Sequence, residues 1–405
     1  MPLTRTRPTI AATPQSPERP PRLMFLVTED WYFLSHRLPV ARAARDAGFD
    51  VAVATRVADH GAAIRAEGFR LCPLPWRRRG DGALGAGRAL AALAALYRNE
   101  RPDIVHHVAL KAVLFGGVAL RLAFPGRAGR PAQIAAVTGL GSGLAPATAP
   151  ARLARPLLAR AVRLAAAGGA VIVQNPEDRV ALTGLGIAAE RIVLIRGSGV
   201  DTAHFAPLPE PLPEPAGPVV TVALVARMLR SKGVQDAVAA VRRLRAQGLA
   251  IELLLAGPAD PDNRDSLNEA ELAALAAEPG VAWLGRVADV RTAWRRAAIA
   301  VLPTSYGEGV PKALIEAAAC GRPIVATDVP GCREVVRPGE TGLLVPPHDV
   351  AALAEAIAAL AGDPARRQAM GAAGRRLVER EFAEEGVARQ TLALYRAVLR
   401  QSTPR

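Results

Sequence analysis

The sequence predicts an α/β protein made of two doubly wound, parallel-sheet domains that face each other across a cleft. Short apolar runs alternate with helical segments along the chain, which is the pattern of parallel βαβ units. A proline-rich stretch at residues 207–218, PLPEPLPEPAGP, divides this alternation in two because it can hold neither a helix nor a central strand. A chain of 405 residues is also too long for one ordinary core.

The N-terminal half is predicted to hold one domain over residues 22–206. It follows a charged, proline-rich segment at 1–21 that we expect to be a disordered tail. Apolar runs predict strands at 23–28, 50–55, 104–107, 133–138, 170–174 and 192–195. Helices are predicted at 38–47, 112–120 and 151–166.

The second domain, residues 219–385, repeats the pattern after the 207–218 linker. Strands are predicted at 219–226, 251–256, 281–284, 299–302 and 323–327, with helices at 234–247, 311–320, 350–360 and, with breaks, 365–399. We expect residues 386–405 to form a helix that packs back on the N-terminal domain. The two sheets leave a cleft between their strand carboxyl ends, where such folds bind ligands.

The positive charge of the chain is concentrated in its N-terminal half. The formal net charge is +14, and residues 1–215 contribute +11 of it, with 27 lysines and arginines against 16 acidic residues. This asymmetry predicts an anionic partner such as a phospholipid surface or a diphosphate-bearing acceptor, although a merely solvated, arginine-rich surface is the alternative. Nucleic acid is disfavoured, because no basic segment carries aromatic residues that would stack on bases.

Cysteine usage and hydropathy bear on location. Cys72, Cys320 and Cys332 are far apart and suggest neither a zinc site nor a disulfide framework, which favours a reducing compartment. Residues 1–21 lack the apolar core of a secretory signal, and the apolar run 112–120 is too short to cross a bilayer. We therefore expect a cytoplasmic protein that is soluble or peripheral at the inner face of a bacterial plasma membrane.

Two carboxylates eight positions apart are the sharpest chemical signal. Glu308 lies in a loop, and Glu316 lies inside the helix predicted at 311–320, flanked by apolar neighbours. A buried carboxylate needs a partner, and the two hydroxyl groups of a ribose would serve. The alternative is an ordinary i, i+4 pair between Lys312 and Glu316 on a solvated face.

Two cations follow the first strand of the second domain. Arg227 and Lys232 lie between that strand and the helix predicted to begin at Val234. A guanidinium, an ammonium and free helix N–H groups at one sheet edge predict a diphosphate site, with Arg230 as an alternative contact that more naturally faces solvent. The same cations would stabilise a departing nucleoside diphosphate. Lys111, Lys232 and Lys312 are the only lysines beside 48 arginines, and all three lie near predicted strand-to-helix turns.

Other polar features are weaker. His36, His106 and His107 are placed at strand-to-helix turns of the N-terminal domain. His106 and His107 follow Ile104-Val105 and could reach the cleft, although a structural histidine is the alternative for each of the three. The glycine run at 139–143 lacks the GxGxxG spacing of a dinucleotide site. The carboxylates of Asp260-Pro-Asp262 resemble a metal-binding pair but lie in a polar loop, where they fit a cap or a turn better.

With these residues in place, the chain resembles the retaining glycosyltransferases of family 4, which have the GT-B fold, from residue 23 onward. The most specific stretch is 307–336, GEGVPKALIEAAACGRPIVATDVPGCREVV, which is similar to the donor-site signature of that family. The resemblance implies that Arg227 and Lys232 grip the donor diphosphate, that Glu308 touches the donor sugar and that Glu316 binds ribose. It also places the base beside 285–287, so the implied donor-binding residues are Arg227, Lys232, Gly285, Val287, Glu308, Gly309, Val310, Pro311, Lys312 and Glu316, with Arg227, Lys232 and Glu308 catalytic.

The N-terminal segments TEDWYFLSHRLPVARA, VHHVALKAVLFG and VTGLGSGL resemble the subset that extends lipid-linked sugars for capsule, O-antigen or exopolysaccharide. The family shows His-x-His after the third strand, whereas this chain has adjacent histidines, so the sugar-contacting histidine is not assigned to one position. The implied acceptor and sugar contacts are His36, His106, His107, Lys111, Gly139 and Gly141.

We therefore expect a glycosyltransferase that moves a sugar from a nucleotide-sugar to a polyprenyl-diphosphate-linked saccharide. Metal independence, the absence of a cofactor and retention of anomeric configuration are implied by the resemblance alone. The residue types do not distinguish uracil, guanine and adenine as the base of the donor, and a UDP-sugar is the expected donor. The basic segment 151–166 predicts contact with anionic lipid. The alternatives are a nucleotide-sugar epimerase or hydrolase and a non-catalytic nucleotide-sugar-binding partner subunit.

Overall fold

The computed structural model describes residues 19–76, 82–126, 129–140, 160–166, 168–211 and 219–402. The expected tail before residue 19, most of the helix expected at 151–166 and the linker residues 212–218 lie outside these ranges. Residues 160–166 are helical, as the sequence predicts.

The N-terminal domain is built on a parallel sheet of seven strands in the order β3-β2-β1-β4-β5-β6-β7. Buried aliphatic runs supply the central strands, because helices cover both faces of the sheet. The strands are β1 (Arg22–Glu29), β2 (Asp50–Arg56), β3 (Arg70–Pro73), β4 (Ile104–Val108), β5 (Ala132–Val137), β6 (Ala170–Val173) and β7 (Ile192–Leu194). The helices are Asp30–His36, Leu38–Asp46, Gly61–Ala66, Gly82–Glu100, Ala109–Ala123 and Pro176–Gly184, with a 3-10 turn at Ala189–Arg191.

The C-terminal domain has a parallel sheet of six strands in the order β10-β9-β8-β11-β12-β13. Its strands are β8 (Val220–Val225), β9 (Ile251–Ala256), β10 (Val281–Trp283), β11 (Ile299–Leu302), β12 (Ile324–Thr327) and β13 (Gly342–Val345). Its helices are Val234–Ala246, Glu269–Ala276, Arg291–Arg296, Lys312–Ala319, Cys332–Val335, Val350–Ala361 and Pro364–Glu381, with a 3-10 turn at Arg230–Lys232. In both sheets the strand order reverses beside the first strand, which is the doubly wound topology that the sequence predicts.

Several elements were not predicted. β3 and β13 are four-residue edge strands with mixed burial, so they lack a continuous apolar run. The helix Gly82–Glu100 begins with three glycines in its first six residues, which weakens any helical signal there. These additions widen the sheets without changing the fold class.

The last helix, Glu384–Ser402, packs on the N-terminal domain. Val387, Tyr395 and Val398 belong to the same buried cluster as Phe25 of β1. The Tyr395 hydroxyl lies 2.6 Å from Nδ1 of His106. The chain therefore joins the two domains twice, once through the linker and once through this helix.

Candidate active site

A cavity of about 360 Å³ lies between the domains at the carboxyl ends of both sheets. One wall is formed by residues that follow β1, β5, β6 and β7. The other is formed by residues at or after the carboxyl ends of β8 and β11. The lining residues of the N-terminal domain are Trp31, Tyr32, His36, Thr138, Gly139, Gln174 and Ser198. Those of the C-terminal domain are Val225, Ala226, Arg227, Lys232, Leu302 and Tyr306 to Ala313.

Lys232 and Glu308 form an ion pair in this cavity. Lys232 ends the 3-10 turn after β8, and Glu308 lies in the loop between β11 and the helix Lys312–Ala319. Their side chains are only 12% and 21% exposed, so the pair is shielded from bulk water. The ammonium group is thus held at the cavity by a carboxylate of the opposite loop.

Arg227 lies on the same wall and is fixed by two contacts. Its Nη1 donates to Oδ2 of the buried Asp260 at 2.6 Å. Its guanidinium also lies over the ring of Trp31, 5.8 Å from the centroid, so it contacts the N-terminal domain. Arg230, in contrast, pairs with Glu271 at the surface. Asp260 lies in a turn, as the sequence predicts, since Asn263 N donates to its backbone oxygen at 2.8 Å, and its carboxylate in addition orients Arg227.

Lys312 links Glu316 to the cavity. Its Nζ donates to the backbone oxygen of Ser35 in the N-terminal domain at 2.5 Å and lies 3.6 Å from Oε1 of Glu316. Glu316 is buried, and burial raises its pKa to about 7, an effect that the Lys312 charge only partly offsets. The i, i+4 pair therefore exists, but on a buried face rather than a solvated one. Glu316 adjoins the cavity through Lys312 and is not itself part of the lining.

The N-terminal residues predicted to contact sugar separate into two groups. His36 and Gly139 line the cavity, and the ring of His36 stacks on Tyr32 with centroids 4.1 Å apart. Burial and the nearby positive charges of Lys312, Arg37 and Arg227 lower the pKa of His36 well below its usual range, so the ring is neutral at pH 7. Gly141 lies outside the described residues.

Lys111 lies beside the main cavity. It lines a second, smaller cavity of about 260 Å³ that shares Trp31, Tyr32 and Arg227 with the first. Its Nζ is 5.4 Å from the centroid of the Trp76 ring.

His106 and His107 do not reach the cleft, so the prediction that they do is wrong. Both are fully buried in β4, where consecutive side chains point to opposite faces of the sheet. His106 contacts the Tyr395 hydroxyl beneath the last helix, and Nε2 of His107 lies 2.9 Å from the hydroxyl of Tyr97. Burial lowers the pKa of both rings, to about 3 for His107. Both histidines are therefore structural residues, one in the core on each face of the N-terminal sheet.

Gly285 and Val287 lie outside the described lining of the cavity. Gly285 follows β10, and its backbone oxygen accepts a hydrogen bond from Gly257 N at 2.8 Å. Val287 is half-buried against the C-terminal core. Both therefore lie at the same edge of the sheet as Arg227 but two strands further out, because β9 separates β10 from β8.

The sequence reasoning did not assign Trp31, Gln174 and Asn175 to the site, and it gave Asp260 only a role in a turn. All four lie just after a strand, at the sheet edges where ligands bind in this fold. The signal that they share is a polar or aromatic side chain at, or within four positions of, the end of a predicted strand.

Two family models match the chain, one in each domain. Residues 22–173 match the family described as Glycosyl transferase 4-like, and residues 219–363 match Glycosyl transferases group 1. The capsular polysaccharide biosynthesis glycosyltransferase CapM of Staphylococcus aureus is 29% identical over 45% of this chain and 47% of its own length. The alignments span about half of the length of the curated relatives that the chain matches.

Solved structures align over nearly the whole chain. Sucrose-phosphate synthase from Thermosynechococcus elongatus is 25% identical, with a TM-score of 0.77 over 94% of this chain and 100% of its own. HepE of Anabaena, solved in complex with UDP and glucose, is 19% identical, with a TM-score of 0.73 over 92% of this chain and 98% of its own. These likenesses confirm the predicted GT-B fold.

Proposed function

We propose that this chain, which belongs to the glycosyltransferases with a 4-like N-terminal domain and a group 1 C-terminal domain, transfers a sugar from a nucleotide-sugar to a saccharide hydroxyl. The observation that carries the proposal is the placement of Arg227, Lys232 and Glu308 at one cavity between the domains. Two cations and a carboxylate at strand carboxyl ends suit a diphosphate joined to a sugar.

The proposed chemistry uses charge rather than a nucleophilic side chain. As the bond from the sugar to the diphosphate breaks, negative charge grows on the leaving oxygen, and Arg227 and Lys232 stabilise it. In the absence of donor, Glu308 pairs with Lys232. Once the diphosphate pairs with the Lys232 ammonium group, the Glu308 carboxylate would be free to accept hydrogen bonds from the sugar hydroxyls. The leaving phosphate takes the acceptor proton, and the sugar is transferred with retention. Because the cations meet the diphosphate charge, the proposal includes no metal or cofactor.

The proposed donor is a UDP-sugar and the proposed acceptor a polyprenyl-diphosphate-linked saccharide of a cell-surface polysaccharide. The likeness to a capsular transferase and to a structure that holds UDP and glucose supports these choices. The acceptor would enter past Trp31 and Tyr32, whose rings suit the apolar face of a sugar.

The test is a screen of purified protein against UDP-, GDP- and ADP-sugars, with thermal shift and nucleoside diphosphate release as readouts. A nucleoside diphosphate at 100 times its Kd should add about 2.7 kcal/mol of stability. We expect release to require a saccharide acceptor and to persist in EDTA. Consumption of the nucleotide-sugar without any acceptor would favour an epimerase or hydrolase, and binding without turnover in any combination would favour a non-catalytic partner subunit.

Replacing Glu316 by glutamine should separate stability from binding. The pKa of Glu316 is raised from 4.5 to about 7, so between those values the native state binds the proton more tightly than the unfolded state. Stability is therefore lost as the pH rises through this window, by up to about 3 kcal/mol. The neutral variant avoids this loss, and we expect its Tm at pH 8 to equal or exceed that of the wild type.

The same variant should bind nucleotide more weakly, because an amide offers one acceptor oxygen to a ribose diol where a carboxylate offers two. The measurement is the Tm of both proteins at pH 5.5 and pH 8, with and without UDP. A lower Tm at pH 8 combined with an unchanged UDP-induced shift would contradict both parts.

We further propose that the enzyme works peripherally at the inner face of the bacterial plasma membrane, through the N-terminal domain. Arg160, Arg163 and Leu164 are exposed on the helical residues 160–166, which pack against the helix Ala109–Ala123. Leu122 on that neighbouring helix is 56% exposed. Basic and apolar side chains together favour an anionic lipid surface. No helix among the described residues is long and apolar enough to cross a bilayer.

This surface can be tested by sedimentation with vesicles that contain phosphatidylglycerol. We expect binding at low salt, since each basic group near the surface contributes about 1 kcal/mol. The Arg160→Glu/Arg163→Glu variant should bind at least tenfold less. The Arg242→Glu/Arg243→Glu variant, which changes two exposed arginines of the other domain, should bind like the wild type. Equal binding by all three proteins would argue against the proposed surface.

A further inference from the structure

The loop that carries Glu308 is hydrogen-bonded to the N-terminal domain. Gly309 N donates to Thr138 O at 3.1 Å, and Val310 N donates to Oε1 of Gln174 at 3.1 Å. Nδ2 of Asn175 donates to the backbone oxygens of Glu308 and Gly309, at 3.2 and 3.1 Å. Residues 308–310, three consecutive residues of this loop, are thus hydrogen-bonded to side chains and backbone of the N-terminal domain.

Asn175 is itself held rigidly from its own domain. Its Oδ1 caps the helix Pro176–Gly184 by accepting from Asp178 N at 2.7 Å, and its Nδ2 lies 3.0 Å from Oδ2 of Asp178. Asn175 is fully buried, and Gln174 is 5% exposed. A capped helix and a buried carboxylate therefore orient the amide toward the loop.

The approach of the two backbones is close enough to require glycine. A Cβ on Gly309 would lie 1.8 Å from Oε1 of Gln174. At Gly139, where φ is +112°, a Cβ would lie 2.6 Å from Gly309 N. The loop therefore contacts the N-terminal domain through its backbone, at a distance that a side chain at either glycine would not allow.

We propose that Gln174 and Asn175 are positioning residues for sugar transfer: they hold the backbone of residues 308–310 so that Glu308 meets the donor only when the N-terminal domain is closed on the loop. This rests on the proposed function of the site. Glu308 is attached at its side chain to Lys232 and at its backbone to Asn175. When the domains separate, the backbone bonds break and the loop loses these anchors. Closure would thus place the acceptor and align the donor in one step.

Two pairs of variants test the proposal. Asn175→Ser keeps an N-cap for the helix but is too short to reach the loop, and Asn268→Ser makes the same change at the capped helix Glu269–Ala276, away from the cavity. Gln174→Met removes the acceptor for Val310 N at nearly constant length, and Gln174→Glu restores it. Each variant is assayed for kcat, donor KM and UDP affinity, and hydrogen exchange of residues 305–316 is followed in the free protein.

We expect Asn175→Ser and Gln174→Met to lower kcat by about 10- to 100-fold, because small misplacements of a reacting group have effects of that size. UDP affinity should stay within about threefold, since Arg227 and Lys232 belong to the other domain, and exchange at 305–316 should be faster. Gln174→Glu should recover most of the rate, and Asn268→Ser should match the wild type.

The proposal is overturned if Asn175→Ser or Gln174→Met keeps the wild-type kcat while hydrogen exchange at residues 305–316 becomes faster. It is equally overturned if Asn268→Ser loses as much activity as Asn175→Ser. It is also overturned if exchange at 305–316 does not change. If the wild type transfers no sugar at all, the proposed function fails instead, and the hydrogen-exchange result still reports whether the loop is held.

Discussion

Replacing Lys232 by alanine is expected to lower kcat for sugar transfer by about 10²- to 10³-fold, the usual effect of removing one preorganised group that stabilises transition-state charge. The Lys232 side chain is 12% exposed, and its ammonium group pairs with Glu308 in the cavity. In the proposed mechanism, water would therefore screen little of its charge from the departing diphosphate. The measurement is steady-state transfer with saturating acceptor.

The matched control is Arg230→Ala, two residues earlier in the same turn. Arg230 pairs with Glu271 at the protein surface, so its loss should change kcat by less than twofold. Transfer by Lys232→Ala near the wild-type rate, or equal losses in both variants, would remove the diphosphate assignment.

Replacing Glu308 by glutamine should have the second largest effect and should separate turnover from binding. We expect kcat to fall about 10²-fold, because an amide cannot stabilise positive charge that develops on the sugar. UDP should bind as tightly as before or more tightly, since Lys232 would no longer be neutralised by its carboxylate.

Isothermal titration with UDP and transfer kinetics, measured on the same preparation, check this prediction. Glu271→Gln is the control, because it removes a carboxylate from an exposed pair near the site without touching the cavity. Weaker UDP binding with an unchanged kcat would show that Glu308 only supports the loop.

The fold could be predicted from the sequence because buried parallel strands read as short apolar runs. β8 and β11 are almost entirely aliphatic, and each leads into a turn with polar or charged residues. That rule was enough to bring Arg227, Lys232 and Glu308 to one sheet edge, although 81 residues separate the first from the last.

The histidines show where the same rule fails. His106 and His107 belong to a strand that is buried throughout, with helices on both faces. Because adjacent strand residues point to opposite faces, each ring meets a tyrosine of a different helix, Tyr395 or Tyr97. The sequence marks them as polar residues near a strand end but does not show which faces are covered.

The contacts between the domains were also beyond prediction. Asn175 precedes a proline and a helix, so its residue type indicates a cap, which it is. Its second role toward residues 308 and 309 depends on how the two domains are placed, which no periodicity within either domain encodes. Within the C-terminal domain, the contact of Asp260 with Arg227 was not predicted either, because the two residues follow different strands.

If Arg227, Lys232, Glu308 and Glu316 serve one nucleotide, as we propose, a crystal structure of the protein with UDP will show it. We expect diphosphate oxygens within hydrogen-bond distance of Arg227 and Lys232, the ribose hydroxyls on Glu316 and the base beside residues 285–287. A diphosphate bound away from both cations, or a ribose that leaves Glu316 paired only with Lys312, would contradict it.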